Sequence, residues 1–318
     1  MPIQPNLFDD PQKIQKTEPL NQSIEVILLQ KDKPNATLLD LVPDTALLAL
    51  TRQYGVQSIH ISKILNYLNM KNIEGQEIVR EEISDDLAIT WARTQGTLNV
   101  IRKLGLITPH NKLTQFGQLV LSECPYMDKA GLPWLFHYLL GSNANLVLWS
   151  YLFNTAFYKI EEISIQDITH DLSILSGKWS ENSLKEKVPG ESGGIIKAYT
   201  EGFLKSLNLI NKLELGKYNC ASNTHSIPIS VWLSVILVYR DQYYPGAPSL
   251  EVPLIVDGNF SPGRILRQNE VSVRKALDEL HNAGLLSVEF RSGLDQVRFK
   301  RDITWLSAAA QYLRGESR

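Results

Sequence analysis

Residues 269–300 read NEVSVRKALDELHNAGLLSVEFRSGLDQVRFK, and this stretch decides the fold class. Val273, Leu277 and Leu280 recur at helical spacing and mark the buried stripe of a helix running from about Asn269 to Asn282. Gly284 then tolerates the left-handed backbone that stops a helix, and Leu285-Leu286 open a strand packed back onto it. Val288 and Phe290 alternate with Glu289 and Arg291, Ser292-Gly293 supplies a turn, and Val297 and Phe299 alternate with Arg298 and Lys300. A helix followed by a two-stranded wing is the expectation.

The stripe leaves Ser272, Arg274, Lys275, Asp278 and His281 outside it. Helix-turn-helix readers lay the N-terminal part of such a helix in the major groove. Ser272, Arg274 and Lys275 are therefore the candidate groove residues, with Arg291, Arg298 and Lys300 of the wing gripping phosphate. Winged helices also serve as protein-interaction modules, and Asp278 and Glu279 dilute the positive charge, so an adaptor role stays open beside DNA contact.

The same junction occurs twice upstream: Ile101 with Leu104, Gly105, Leu106 and Ile107, and Leu204 with Leu207, Asn208, Leu209 and Ile210. The fold class expected is mainly α with small β-hairpin wings, as tandem winged-helix-like units joined by a helical middle region. The first copy ends in a short wing at Thr108 to Lys112, before a helix carrying Phe116, Leu119 and Val120. Its charges are Arg102, Lys103, His110 and Lys112. The middle copy offers Lys205, Lys212 and Lys217 and reads equally well as scaffold.

Residues 1–36 hold five prolines and read as a flexible tail. From Thr37 the spacing of Leu38, Leu41, Val42, Leu47, Leu48 and Leu50 predicts a helix, with Asp44 placed to cap. Tyr54-Gly55 then precedes a second helix through Ile59, Ile61, Ile64, Leu65 and Leu68. The helix, turn, helix order fits a helix-turn-helix or a plain helical hairpin. The expected division is 37–122 as a winged-helix-like unit, 123–222 as a helical middle region with the second such unit, and 223–318 as the carboxyl-terminal winged-helix domain. Lys71 to Asp86 is acidic and should face solvent.

Composition narrows the partners. With 32 basic and 34 acidic side chains the formal charge is −2, so nucleic-acid contact must come from local patches. Two cysteines, Cys124 and Cys220, give neither a disulfide framework nor paired zinc spacing, which fits a reducing cytoplasm. Met1 to Asp10 has no basic start and no apolar run, so no secretory signal is expected there. Ile227 to Tyr239 falls short of the roughly 20 residues that cross a bilayer and reads as a buried helix. No membrane partner is expected. Two copies could pair about a two-fold axis, although no heptad seam marks where.

Catalytic motifs weigh lightly. Gly190-Glu191-Ser192-Gly193-Gly194 matches the nucleophile-elbow pattern, but no strand precedes it, and a flexible loop is the expectation. Asp167, His170 and Asp171 share a helix face without a further ligand, and Leu172 stands where a phosphate loop ending at Gly177-Lys178 needs glycine. No catalytic residue, metal ligand or cofactor is assigned.

Leu113-Thr114 with Gly117, Pro125-Tyr126, Leu132-Pro133-Trp134-Leu135-Phe136-His137-Tyr138, Trp149 with Phe153-Asn154, and Ser183-Leu184-Lys185 form an ordered set. On these residues the segment from Leu113 to about Tyr199 resembles the bacterial DUF4007 family. Members often neighbour genes for DNA phosphorothioation and other anti-phage modification. The family's usual Phe-Ser-Gly-His-Glu-Thr-Phe opening is absent, which marks a divergent member. The resemblance implies a non-enzymatic accessory role in defence, as regulator or targeting subunit, with DNA or modification and restriction proteins as partners. It supplies no catalytic residue. Physically, Trp134, Phe136, Tyr138, Trp149, Tyr151 and Phe153 suit a helical core, and His137 within the run suits a satisfied core histidine.

Overall fold

The computed structural model describes residues 42–76, 80–159, 162–221, 226–291 and 294–316. The tail expected over 1–36 and the Ser292-Gly293 turn lie outside those residues. Among the described residues the chain is mainly helical, with two small antiparallel sheets of three strands.

Five helices come first: α1 (Ser58–Ile73), α2 (Arg80–Asp86), α3 (Trp91–Lys103), α4 (Gln115–Glu123) and α5 (Leu132–Gly141). Next, α6 (Val147–Tyr151) runs through a π-helical turn, Leu152–Ala156, into α7 (Phe157–Lys159). The first sheet collects β1 (Glu162–Ser164), β2 (Ile210–Lys212) and β3 (Lys217–Cys220) in the order β1-β3-β2, with α8 (Ile165–Asp171) and α9 (Glu181–Thr200) between β1 and β2. The second collects β4 (Ser249–Glu251), β5 (Leu286–Arg291) and β6 (Leu294–Phe299) in the order β4-β6-β5. It follows α10 (Ile229–Tyr243) and encloses α11 (Val252–Asp257), α12 (Pro262–Ile265) and α13 (Glu270–Asn282), and α14 (Trp305–Arg314) closes the chain.

All three expected helix stops adopt the left-handed region: Gly105 at φ 72°, Asn208 at φ 49° and Gly284 at φ 67°. A strand or a bridge follows each, the first being a single antiparallel bridge between Ile107 and Leu113. The middle junction differs in one respect. Helix α9 ends at Thr200, and a separate 3-10 turn, Lys205–Leu207, leads to Asn208. Gly202 sits at the break, where a side chain would collide with the carbonyl of Val56.

The helix expected across Leu38 to Leu50 does not form within the described part. Residues 42–57 run as turns and irregular strap, tied by a parallel bridge between Leu47 and Leu146. The strap's buried backbone is satisfied from far along the chain. The carboxylate of Glu191, itself buried, accepts from the Leu50 N–H at 2.8 Å, the Thr51 N–H at 2.7 Å and the Thr51 hydroxyl at 3.0 Å. The Gly190 to Gly194 stretch is accordingly no loop: it lies inside α9. Its glycines make room for the strap, since a Cβ at Gly190 or Gly194 would enter the side chains of Gln53 and Thr51. Glycine in a helix costs about 1 kcal/mol against alanine, and here close approach is the return. Ser192 is fully buried on this helix.

The buried side chains form one connected cluster from Val42 to Leu313. The aromatic residues of the middle region lie within it: Trp134, Phe136, Tyr138, Trp149, Tyr151 and Phe153 are each at most 5% exposed. His137 is fully buried, with its Nε2–H donating to the Ile265 carbonyl at 2.8 Å and its Nδ1 accepting from the Tyr199 hydroxyl at 2.6 Å. This is the satisfied core histidine expected. Helix α10 is apolar almost all round and packs on α5, α12, α13 and α14.

Burial pushes the His137 imidazole down to about 4, partly opposed by the Ile265 bond. A folded value below the ordinary 6.5 means the unfolded chain binds the extra proton first. The stability this gives is full above pH 6.5 and declines as pH falls toward 4, by about 1.4 kcal/mol per unit. We expect wild type to lose more stability than His137→Gln between pH 6.5 and 4, by urea denaturation at each pH. Parallel curves for the two would refute the assignment.

Candidate nucleic-acid interface

Helix α13 begins at Asn269, whose side chain accepts from the Ser272 N–H at 2.9 Å. Val273, Leu277 and Leu280 are fully buried, as the sequence stripe requires. The turn before α13 passes through Arg267 in the left-handed region, at φ 58°. The four-residue helix α12 is thus joined to α13 by a tight turn, and α13 packs on β5 of the hairpin. Strand pairing sets Leu286 opposite Phe299 and Val288 opposite Val297, so the apolar alternation shares one face.

The six candidate residues divide into two groups. Arg274 is engaged: its Nε donates to Glu270 at 2.8 Å, and its Nη atoms donate to both oxygens of Asp295 at 3.1 and 2.6 Å. The guanidinium also lies 5.6 Å from the centre of the Phe290 ring. The Asp295 and Glu270 bonds raise its pKa further, so the charge is held but turned inward, bracing α13 against the hairpin. Arg298 reaches across the hairpin to Glu289 at 2.7 Å.

Lys275 is exposed, with Glu279 a turn away at 4.0 Å. Ser272 is half-buried at the front of α13, and Lys300 is exposed at the foot of the hairpin beside Gly284. No ion pair within 4 Å involves Lys300 among the described residues. The side chain of Arg291 lies outside the described ones. The arrangement gathers Arg274 with Phe290 and Asp295 toward the hairpin tip and leaves Lys300 at its base.

Sequence reasoning missed the acids that neutralise two of the arginines. Glu270 stands four residues before Arg274, and that spacing was readable. Asp295 was not, because it meets Arg274 only once the hairpin register is set. Also missed were Arg301, exposed next to Lys300, and three exposed apolar side chains, Val271 at 76% on α13 and Phe290 at 53% and Leu294 at 49% on the hairpin.

The model of the family described as "Protein of unknown function (DUF4007)" matches residues 90–314, a wider span than the motifs of the middle region. Two solved structures are similar to this chain. The magnesium ion-bound SspB crystal structure has 15% identity and a TM-score of 0.70, covering 87% of this chain and 90% of that one. A second SspB crystal structure has 15% identity and a TM-score of 0.68, covering 86% and 88% respectively. At this identity the likeness is one of fold. No curated protein matches. Among the described residues no group of three or more His, Cys, Asp or Glu side chains is placed to hold a metal ion. No described helix is long and apolar enough to cross a membrane.

Proposed function

The chain belongs to the DUF4007 family, and from that premise we propose a non-enzymatic DNA-binding accessory protein, a regulator or targeting subunit, of a bacterial DNA-modification or phage-defence system. It works in the cytoplasm. Residues 223–318 act as a winged-helix unit that reads DNA, and 37–122 and 123–222 carry related units. One observation supports the reading: two helices joined by a tight turn, α12 and α13, are followed directly by a hairpin in a sheet of order β4-β6-β5. The first sheet repeats that order as β1-β3-β2. In this unit Ser272 and Lys275 face the groove, Lys300 holds phosphate with Arg291, and Arg274 and Arg298 brace the helix and wing.

The test is the pair variant Lys275→Ala with Lys300→Ala, measured against a labelled mixed-sequence duplex across a salt series. Each lost phosphate contact removes about 0.9 from the salt slope, so the slope should become shallower by up to about twice that, with weaker binding. Asp295→Ala, which removes one carboxylate from the site and releases the Nη atoms of Arg274 while Glu270 keeps its Nε, should strengthen binding. Unchanged affinity and slope in the pair variant would remove the hairpin site.

A second reading, an adaptor that recruits a modification enzyme or nuclease, is favoured by the exposed Phe290 and Leu294 near the hairpin end. It gains if wild type shows no salt-dependent DNA binding while Phe290→Ala weakens co-purification with proteins of the modification system.

A further inference from the structure

Another cationic surface is built from different elements, where the strap 42–57 enters α1 and α1 packs on α3. His60 and Lys63 stand three residues apart and share a face of α1. Arg93, in the first turn of α3, lies over the Tyr54 ring at 5.7 Å from its centre, and Tyr54 is 40% exposed. Lys197 of α9 abuts the strap at Gly55, where a Cβ would stand 2.9 Å from the Lys197 Cβ.

Lys63, Arg93 and Lys197 are all exposed. Among the described residues none of them, nor His60, has an acidic partner within 4 Å. Burial first, then the charges of Arg93 and Lys63, push the His60 imidazole below its ordinary value, which places both cations beside it. Acid on this face of α1 begins further along, at Tyr67, whose hydroxyl donates to Asp86. The dipole of α1 adds positive potential at the His60 end.

We infer that Lys63, Arg93 and Lys197, with Tyr54 beside them, form a second nucleic-acid contact surface that grips the phosphate backbone. Three cations on three separate elements suit a polyanion with repeating charge better than a single small anion. An exposed tyrosine held under a guanidinium offers a flat face to sugar or base, which an acidic peptide does not need. The surface shares no residue with α13 or the hairpin and adds a contact to the one proposed there.

The experiment uses the full chain carrying Lys63→Ala, Arg93→Ala and Lys197→Ala, with anisotropy of a labelled mixed-sequence duplex across a potassium chloride series. The expected result is affinity lower by about tenfold or more at low salt and a slope shallower by about two to three units. An unchanged melting temperature shows that the fold is retained. Should the triple variant fail to fold, Lys63→Glu alone is read on the same slope, and an unchanged slope there overturns the inference. So does unchanged duplex binding in a folded triple variant, or equal loss of binding to polyglutamate and to DNA. Loss in this variant with normal binding by the Lys275, Lys300 pair variant keeps this surface and removes the hairpin site. The opposite pattern does the reverse, and a wild-type chain that binds no DNA ends both.

Discussion

Glu191→Ala is expected to destabilise the chain by about 3–5 kcal/mol, since it strands three donors inside the core. The Leu50 N–H, the Thr51 N–H and the Thr51 hydroxyl all donate to this carboxylate, and Leu50 and Thr51 are 3% and 0% exposed. Each unsatisfied buried donor costs about 1–3 kcal/mol, and the losses overlap because the strap relaxes as a piece. Urea denaturation measures the effect, and a loss below about 1 kcal/mol would show that water replaces the carboxylate. Burial raises the Glu191 carboxyl above its usual value, against the pull of the Thr51 and Leu50 bonds. The favourable contribution of its proton is therefore full below the ordinary carboxylate range and is lost as pH rises through the raised value. Glu191→Gln should lack that decline.

The second large effect is expected at Gly117. Thr114 caps α4 by accepting from the Gly117 N–H at 3.0 Å, and its own N–H donates to the Leu106 carbonyl at 3.0 Å. This brings the Leu106 carbonyl so close to Gly117 that a Cβ there would lie far inside van der Waals contact with the oxygen. The obstacle is backbone, so it yields poorly, and Gly117→Ala should cost about 2–4 kcal/mol. Gly193 is the control. It lies inside α9 with only the Ile165 side chain at 4.0 Å, so Gly193→Ala should be neutral or stabilise by up to about 1 kcal/mol. Equal effects of the two substitutions in thermal melts would show that helix propensity, rather than the close approach, governs both.

The carboxyl-terminal unit was legible because its signals are local. Helical spacing, a left-handed stop and strict alternation each occupy a few neighbouring residues, and α13, β5 and β6 follow from them. The aromatic core and His137 were legible because large rings at helical spacing have few other uses. The strap was not. Leucine spacing at Leu47, Leu48 and Leu50 suits a helix, but the carboxylate that holds this segment in its irregular course lies 141 residues away from Leu50. The same long-range tie explains the misreading of Gly190 to Gly194. Their glycines signal a loop by propensity, whereas packing against Thr51 and Gln53 keeps them helical. At the candidate site the cations were found, and the fate of Arg274 was not, because Asp295 reaches it only through hairpin register.

Helix α10, clasped by α5, α12, α13 and α14, ties the hairpin into the same cluster of buried side chains that reaches α1. A two-headed binder on a slack tether would accept many separations between the phosphates it holds. Were both proposed surfaces to hold DNA, such a frame would act as a caliper with its jaws set at one gap. A duplex spanning both jaws would then be gauged by its curvature as much as by its letters.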